Sequence, residues 1–139
     1  MILQLLLSSS LIAYAAPAAK AAAQPAPVML PAEGRRADLP GGRYFTWRFA
    51  SRPQLGTVVL KVQVFQSDGS RVKDLKVLGA SGMPSMRGAH DTGEQPFRLN
   101  KKGDYLLPVD LVMPGDWEVV LSFFEGKKRI YHGKVDFEL

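Results

Sequence analysis

A chain of 139 residues with 46% hydrophobic content is long enough to bury one core and short for more than one ordinary domain. It contains no cysteine, which excludes disulfides, a lipidated cysteine and any thiolate metal site, so soft-metal chemistry falls to methionine and histidine. The formal charge of +5 is mild, and the one sharp cationic cluster, Lys127-Lys128-Arg129, lies in a predicted hairpin turn. It lacks the interleaved aromatics of a nucleic-acid footprint, so no nucleic-acid partner is expected.

Residues 1–16 (MILQLLLSSSLIAYAA) are apolar and uncharged, and small residues follow them. They read as the core of a secretory signal peptide, although no Lys or Arg precedes Lys20. Two small-x-small sites fit cleavage, one at Ala13-Tyr14-Ala15 and one at Ala21-Ala22-Ala23; the second gives a signal peptide over residues 1–23. The apolar run falls short of the ~20 residues that span a bilayer and contains three serines. Retention as an anchor is the alternative, and no stable span is expected after cleavage. The mature chain is thus expected outside the cytoplasm, in the periplasm or its equivalent. Residues 24–42, with Pro25, Pro27, Pro31 and Pro40 and no sustained period, read as a flexible linker. The domain is expected over residues 43–139.

Within it the pattern is that of short strands. Residues 44–50 (YFTWRFA) place Phe45, Trp47 and Phe49 on one face. Residues 57–65 (TVVLKVQVF) put Val58, Leu60, Val62 and Val64 inward, and Ser67-Asp68-Gly69-Ser70 offers a reversal into a hairpin partner over residues 71–78. Further strands are predicted over residues 97–99, 105–112, 117–124 and 129–138, separated by the turns Lys101-Lys102-Gly103-Asp104 and Met113-Pro114-Gly115-Asp116. Pro108 cannot donate a ladder hydrogen bond, so its strand must be bulged or lie at an edge there. About seven short strands and no helical stripe predict an all-β, immunoglobulin-like sandwich, with a small barrel as the structural rival.

The longest irregular stretch contains Ser81-Gly82-Met83-Pro84-Ser85-Met86-Arg87-Gly88-Ala89-His90-Asp91. Methionine is ordinarily core filler, so two of them among Gly, Ser, Arg and Asp ask for a further reason. Thioether sulfur suits Cu(I), and imidazole suits either copper state. The spacing Met-x2-Met-x3-His lets Met83, Met86 and His90 converge on one ion, with Pro84 restricting the backbone and Gly82 and Gly88 letting it turn. Asp91 is placed where it could orient an imidazole, and Met113 is a spare donor with core packing as its ordinary fate. On composition alone the metal site competes evenly with a hydrophobic plug made by Met83 and Met86 and a solvated His90. His132 falls on a polar strand face and reads as solvated. No nucleophile–base pair or convergent carboxylate pair has recognisable spacing. Ser81, Ser85, His90 and Asp91 share one short loop, whereas a hydrolytic triad assembles from separated elements. The chain is not expected to be an enzyme.

The segment GMPSMRGAH at residues 82–90, followed by Gly103-Asp104-Tyr105 and by Met113-Pro114-Gly115-Asp116-Trp117, resembles the YtkA-like and FixH-like family over about residues 58–138. The resemblance implies an immunoglobulin-like sandwich and a role in copper handling and oxidase maturation outside the cytoplasm. By position it points to Met83, Met86 and His90 as ligands and to Gly103, Tyr105, Gly115 and Trp117 as turn and core residues. A membrane oxidase or a copper-transport protein is then the expected partner. The rival expectation is a metal-free interaction or structural module of the envelope that presents Trp47 and turn residues to a partner.

Overall fold

Ten strands arise from the alternating runs of the chain in a computed structural model that describes residues 25–139. They are β1 (Val28–Met29), β2 (Ala37–Asp38), β3 (Tyr44–Phe49), β4 (Gly56–Phe65), β5 (Lys76–Gly82), β6 (Gln95–Pro96), β7 (Arg98–Leu99), β8 (Asp104–Leu111), β9 (Asp116–Glu125) and β10 (Lys128–Glu138). The signal peptide and both cleavage sites lie outside the described residues.

The strands form two five-stranded sheets, ordered β1-β10-β9-β5-β6 and β2-β3-β4-β8-β7. The inner four-strand order β3-β4-β8-β7, facing β5-β9-β10, is the connectivity of an immunoglobulin sandwich. The predicted all-β sandwich is therefore the fold, and neither sheet closes into a barrel. Phe45, Trp47, Val58, Leu60, Val62 and Val64 from one sheet meet Val77, Trp117, Val119, Leu121 and Phe123 from the other in a single core. Trp47 is buried and its indole N–H donates to the Pro31 carbonyl at 2.8 Å, so it is not available as the contact surface the rival reading assigned to it.

Three features depart from the sequence reading. Residues 28–39 are built into the sandwich rather than serving as a linker. β1 runs parallel to β10, opposite Gly133 and Lys134, β2 pairs with β3, and Leu30, Ala37 and Leu39 are buried. Gly133 permits this, because a Cβ there would stand 2.7 Å from the Leu30 side chain. Second, the turn after β4 does not lead into a regular hairpin. A single bridge joins Phe65 and Arg71, and the chain then crosses to the other sheet, where β5 begins at Lys76 and pairs with β9. Third, β1, β2 and β6 are two-residue edge strands too short to show a period. Pro108 sits on β8 beyond the end of β7, which reaches only Tyr105 and Leu106. The strand is an edge there, as its missing N–H requires.

Gly79 faces inward on β5, where an added Cβ would lie 2.5 Å from Leu107 Cδ2 and 2.7 Å from Phe97 Cε1. Gly79→Ala is expected to destabilise the domain by about 1–3 kcal/mol through overpacking. A urea midpoint shifted down at unchanged m-value would show it; an unchanged midpoint would mean the Phe97 corner yields freely.

Candidate functional site

The methionine loop closes one end of the sandwich, between β5 and β6. β5 carries the chain through Gly82 in extended form, and a 3-10 turn, Pro84–Met86, follows with Pro84 at its first position. The Met86 N–H donates to the Met83 carbonyl at 3.0 Å and the Ala89 N–H to the Met86 carbonyl at 3.1 Å. Two linked turns thus hold the Cα atoms of Met83 and Met86, and those of Met86 and Ala89, within about 7 Å of each other, and His90 follows the second turn. Gly88 takes a left-handed φ of 84°, the freedom its sequence position suggested. Gly82 matters for a different reason. A Cβ there would fall 2.2 Å from Asp91 Oδ1, so its lack of a side chain lets the Asp91 carboxylate close in.

Acidic residues at the start of β9 hold the loop down. The Ser85 N–H donates to Asp116 Oδ2 at 2.9 Å, and the Ser85 hydroxyl donates to Asp116 Oδ1. The Ser85 hydroxyl bond, against the small opposing effect of desolvation, holds the Asp116 carboxyl below its ordinary value. Arg87 donates to buried Glu118 at 3.0 Å, and Lys134 reaches the other oxygen of Glu118 at 3.0 Å. Asp91 accepts from the Gly88 N–H at 2.8 Å, so its carboxylate serves the loop backbone. Farther along, the Thr92 N–H donates to the Ser81 carbonyl at 3.0 Å and the Thr92 hydroxyl accepts from the Ser81 N–H at 3.1 Å.

The three candidate ligands occupy different depths. Met83 is 2% exposed and Met86 is 39% exposed, while His90 is half-buried, its ring centroid 6.3 Å from that of Trp117. The Met83 methyl packs on Gly115, where a Cβ would come within 2.9 Å of Met83 Cε. Trp117 itself is buried, and its indole N–H donates to the Met113 carbonyl at 3.0 Å. That bond closes the corner between β8 and β9, much as a tyrosine hydroxyl closes a corner in immunoglobulin domains. Met113 is half-buried against the core. Met83, Gly115, Trp117 and His90 therefore line one end of the molecule, with Met86 at its surface. No cluster of three or more His, Cys, Asp or Glu suited to a metal occurs among the described residues.

The clamp residues Ser85, Arg87, Asp116 and Glu118 do not stand out in the sequence. The one signal is the acidic pair flanking Trp117, which the strand period places on the outer face of β9, away from the core. His132 is not solvated as expected: it is half-buried, its Nδ1 is 2.9 Å from the Ser122 hydroxyl, and burial, with Arg129 nearby, pushes its pKa below the ordinary imidazole value.

Comparison with family models, curated proteins and solved structures finds no match to this chain. The resemblance to the YtkA-like and FixH-like family accordingly rests on the quoted motifs.

Proposed function

We propose that this chain is an extracytoplasmic copper-binding accessory or carrier, not an enzyme, with Met83, Met86 and His90 as its ligands and Cu(I) as its cargo. The observation that carries the reading is the pair of linked turns over residues 83–89, which keeps Met83, Met86 and the adjoining His90 within one short segment at one end of the sandwich. Two neutral soft sulfurs and one nitrogen suit Cu(I), and the cysteine-free chain has no thiol to compete or oxidise. Two carboxylates at that end, Asp91 and Asp116, make no ion pair within 4 Å among the described residues and favour approach of a cation without belonging to the ligand set. A membrane oxidase or a copper-transport protein is the recipient that the family resemblance points to.

The test is a thermal melt of the chain under reductant, with and without Cu(I). A ligand that binds the folded state alone adds about 2.7 kcal/mol at a hundredfold excess over its Kd. In a domain of this size that raises Tm by roughly 10 °C. An unmoved Tm at excess Cu(I) rejects the proposal.

One observation favours a second reading, a metal-free interaction or structural module of the envelope. Met83, at 2% exposure with its methyl on Gly115, fills the end of the core as a plug would.

A further inference from the structure

The two ends of the sandwich carry opposite charge. Strand register gathers the turns 66–75, 100–103 and 126–127 at the end away from the methionine loop: β4 leaves at Phe65, β5 enters at Lys76 beside Phe124, β8 enters at Asp104 beside Gln63, and β9 turns into β10 between Glu125 and Lys128. Residues 43, 66–76, 100–104 and 125–129 hold nine Lys and Arg against four Asp and Glu. At the methionine end, residues 50–56, 83–92, 110–118 and 134–139 hold three against six.

Pairing sharpens the contrast. Two of the four carboxylates at the basic end are matched by arginine, Glu125 by Arg43 at 2.8 Å and Asp104 by Arg71 at 3.1 Å. Asp68 accepts from the Ser70 hydroxyl and N–H. Lys73, Lys101, Lys102, Lys127 and Lys128 are exposed, and none makes an ion pair within 4 Å among the described residues. Two of the turns that bear them are packed together, for a Cβ on Gly103 would stand 2.9 Å from Lys73 Cε. Leu99, at the rim beside Asn100, is an exposed aliphatic side chain.

We propose that this end docks on the anionic headgroups of a lipid bilayer and turns the methionine end away from the membrane surface. Five lysines on three separate turns form a broad field of point charges on flexible stems. Such a field suits a fluid anionic plane, whereas a folded acidic partner is more often read by the rigid arginine fork. Two of the three arginines at this end, Arg43 and Arg71, are already committed to carboxylates of the chain itself, and the third, Arg129, is only partly exposed. The acidic opposite end adds to the orientation, because an anionic surface repels it. This inference stands on charge placement and does not depend on copper.

The test is sedimentation of the full chain with vesicles of phosphatidylcholine alone and of phosphatidylcholine with phosphatidylglycerol. The apolar, uncharged residues 1–16 are present in both arms, so the ratio of the two partition coefficients isolates the charge effect. Each lysine near an anionic surface contributes about 1 kcal/mol, roughly fivefold in partitioning. Lys101→Gln/Lys102→Gln is therefore expected to lower the anionic-to-neutral ratio about 25-fold, and Lys127→Gln/Lys128→Gln by a similar factor. Raising the salt to ~0.5 M should lower the wild-type ratio as well. All four positions are exposed, three in turns and Lys128 at the first position of β10, and an unchanged Tm confirms that the variants fold. A wild-type ratio near one, or variants that partition like the wild type, overturns the proposal; the first result would leave a soluble acidic partner for the patch.

Discussion

Phe45→Ala is expected to lower the stability of the domain by about 3–5 kcal/mol, the range for deleting a fully buried aromatic side chain. Phe45 is 0% exposed. It projects from β3 across the sandwich to Phe123 of β9 at 4.6 Å between ring centroids and to Tyr131 of β10 at 5.0 Å. One side chain thus touches the two longest strands of the opposite sheet, and truncating it opens a cavity between the layers that neither backbone can follow inward. A domain of this size is stable by only about 5–15 kcal/mol, so the variant should melt far below the wild type and unfold at much lower urea. A loss below ~1 kcal/mol would mean that the sheets close over the gap, and that the core is looser than its burial indicates.

The parts of the fold that are legible in the sequence are those whose residues alternate long enough to declare a face. β3 and β4 turn every second side chain inward, and so does β9 with Trp117, Val119, Leu121 and Phe123, although Glu118 and Ser122 on its other face are also covered; the alternation of apolar residues locates each strand within a residue or two. Residues 28–39 are not legible. β1 and β2 are too short for a period and sit among prolines, and they exist because neighbours distant in sequence accept them: Gly133 leaves room for Leu30, and Phe45 stands opposite Ala37. The crossing of the chain to β5 is hidden for a related reason. Residues 71–78 read as the hairpin partner of β4, whereas the Val72 N–H donates to the Val64 carbonyl and the Leu75 N–H to the Tyr105 hydroxyl at 3.2 Å, the second a contact that only the assembled sandwich supplies.

The same distinction divides the two ends of the molecule. Composition alone exposes the methionine loop, because two thioethers and a histidine within eight residues are local facts. Its clamps stay hidden, since Ser85 meets Asp116 and Arg87 meets Glu118 across 31 residues. Lysines at 73, 101–102 and 127–128 each look like an ordinary solvated turn in the sequence. Only the antiparallel register turns three modest turns into one basic end facing away from an acidic one.

Met83 is where packing and ligation make opposite demands, and two substitutions separate them. Met83→Ala removes both the sulfur and most of the volume of a side chain that is 2% exposed, and is expected to cost about 2–5 kcal/mol as its neighbours, Gly115 among them, fail to close on the cavity. Any loss of copper binding in that variant would be confounded by the loosened loop. Met83→Leu keeps nearly the same volume and should cost less than about 1.5 kcal/mol, leaving the Ser85–Asp116 and Arg87–Glu118 clamps in place. It nevertheless deletes one of three donors, and Cu(I) has no affinity for an alkyl group. With Met83→Leu near wild-type in stability, the Cu(I)-induced rise in Tm should fall by most of its roughly 10 °C if Met83 ligates. A rise as large as that of the wild type would remove Met83 from the ligand set and leave Met86 and His90 as the only members of the proposed three. In that event the buried thioether is a plug, the proposed three-donor site is wrong, and copper is held by donors other than Met83; only a Tm that Cu(I) leaves unmoved in the wild type would favour the metal-free module.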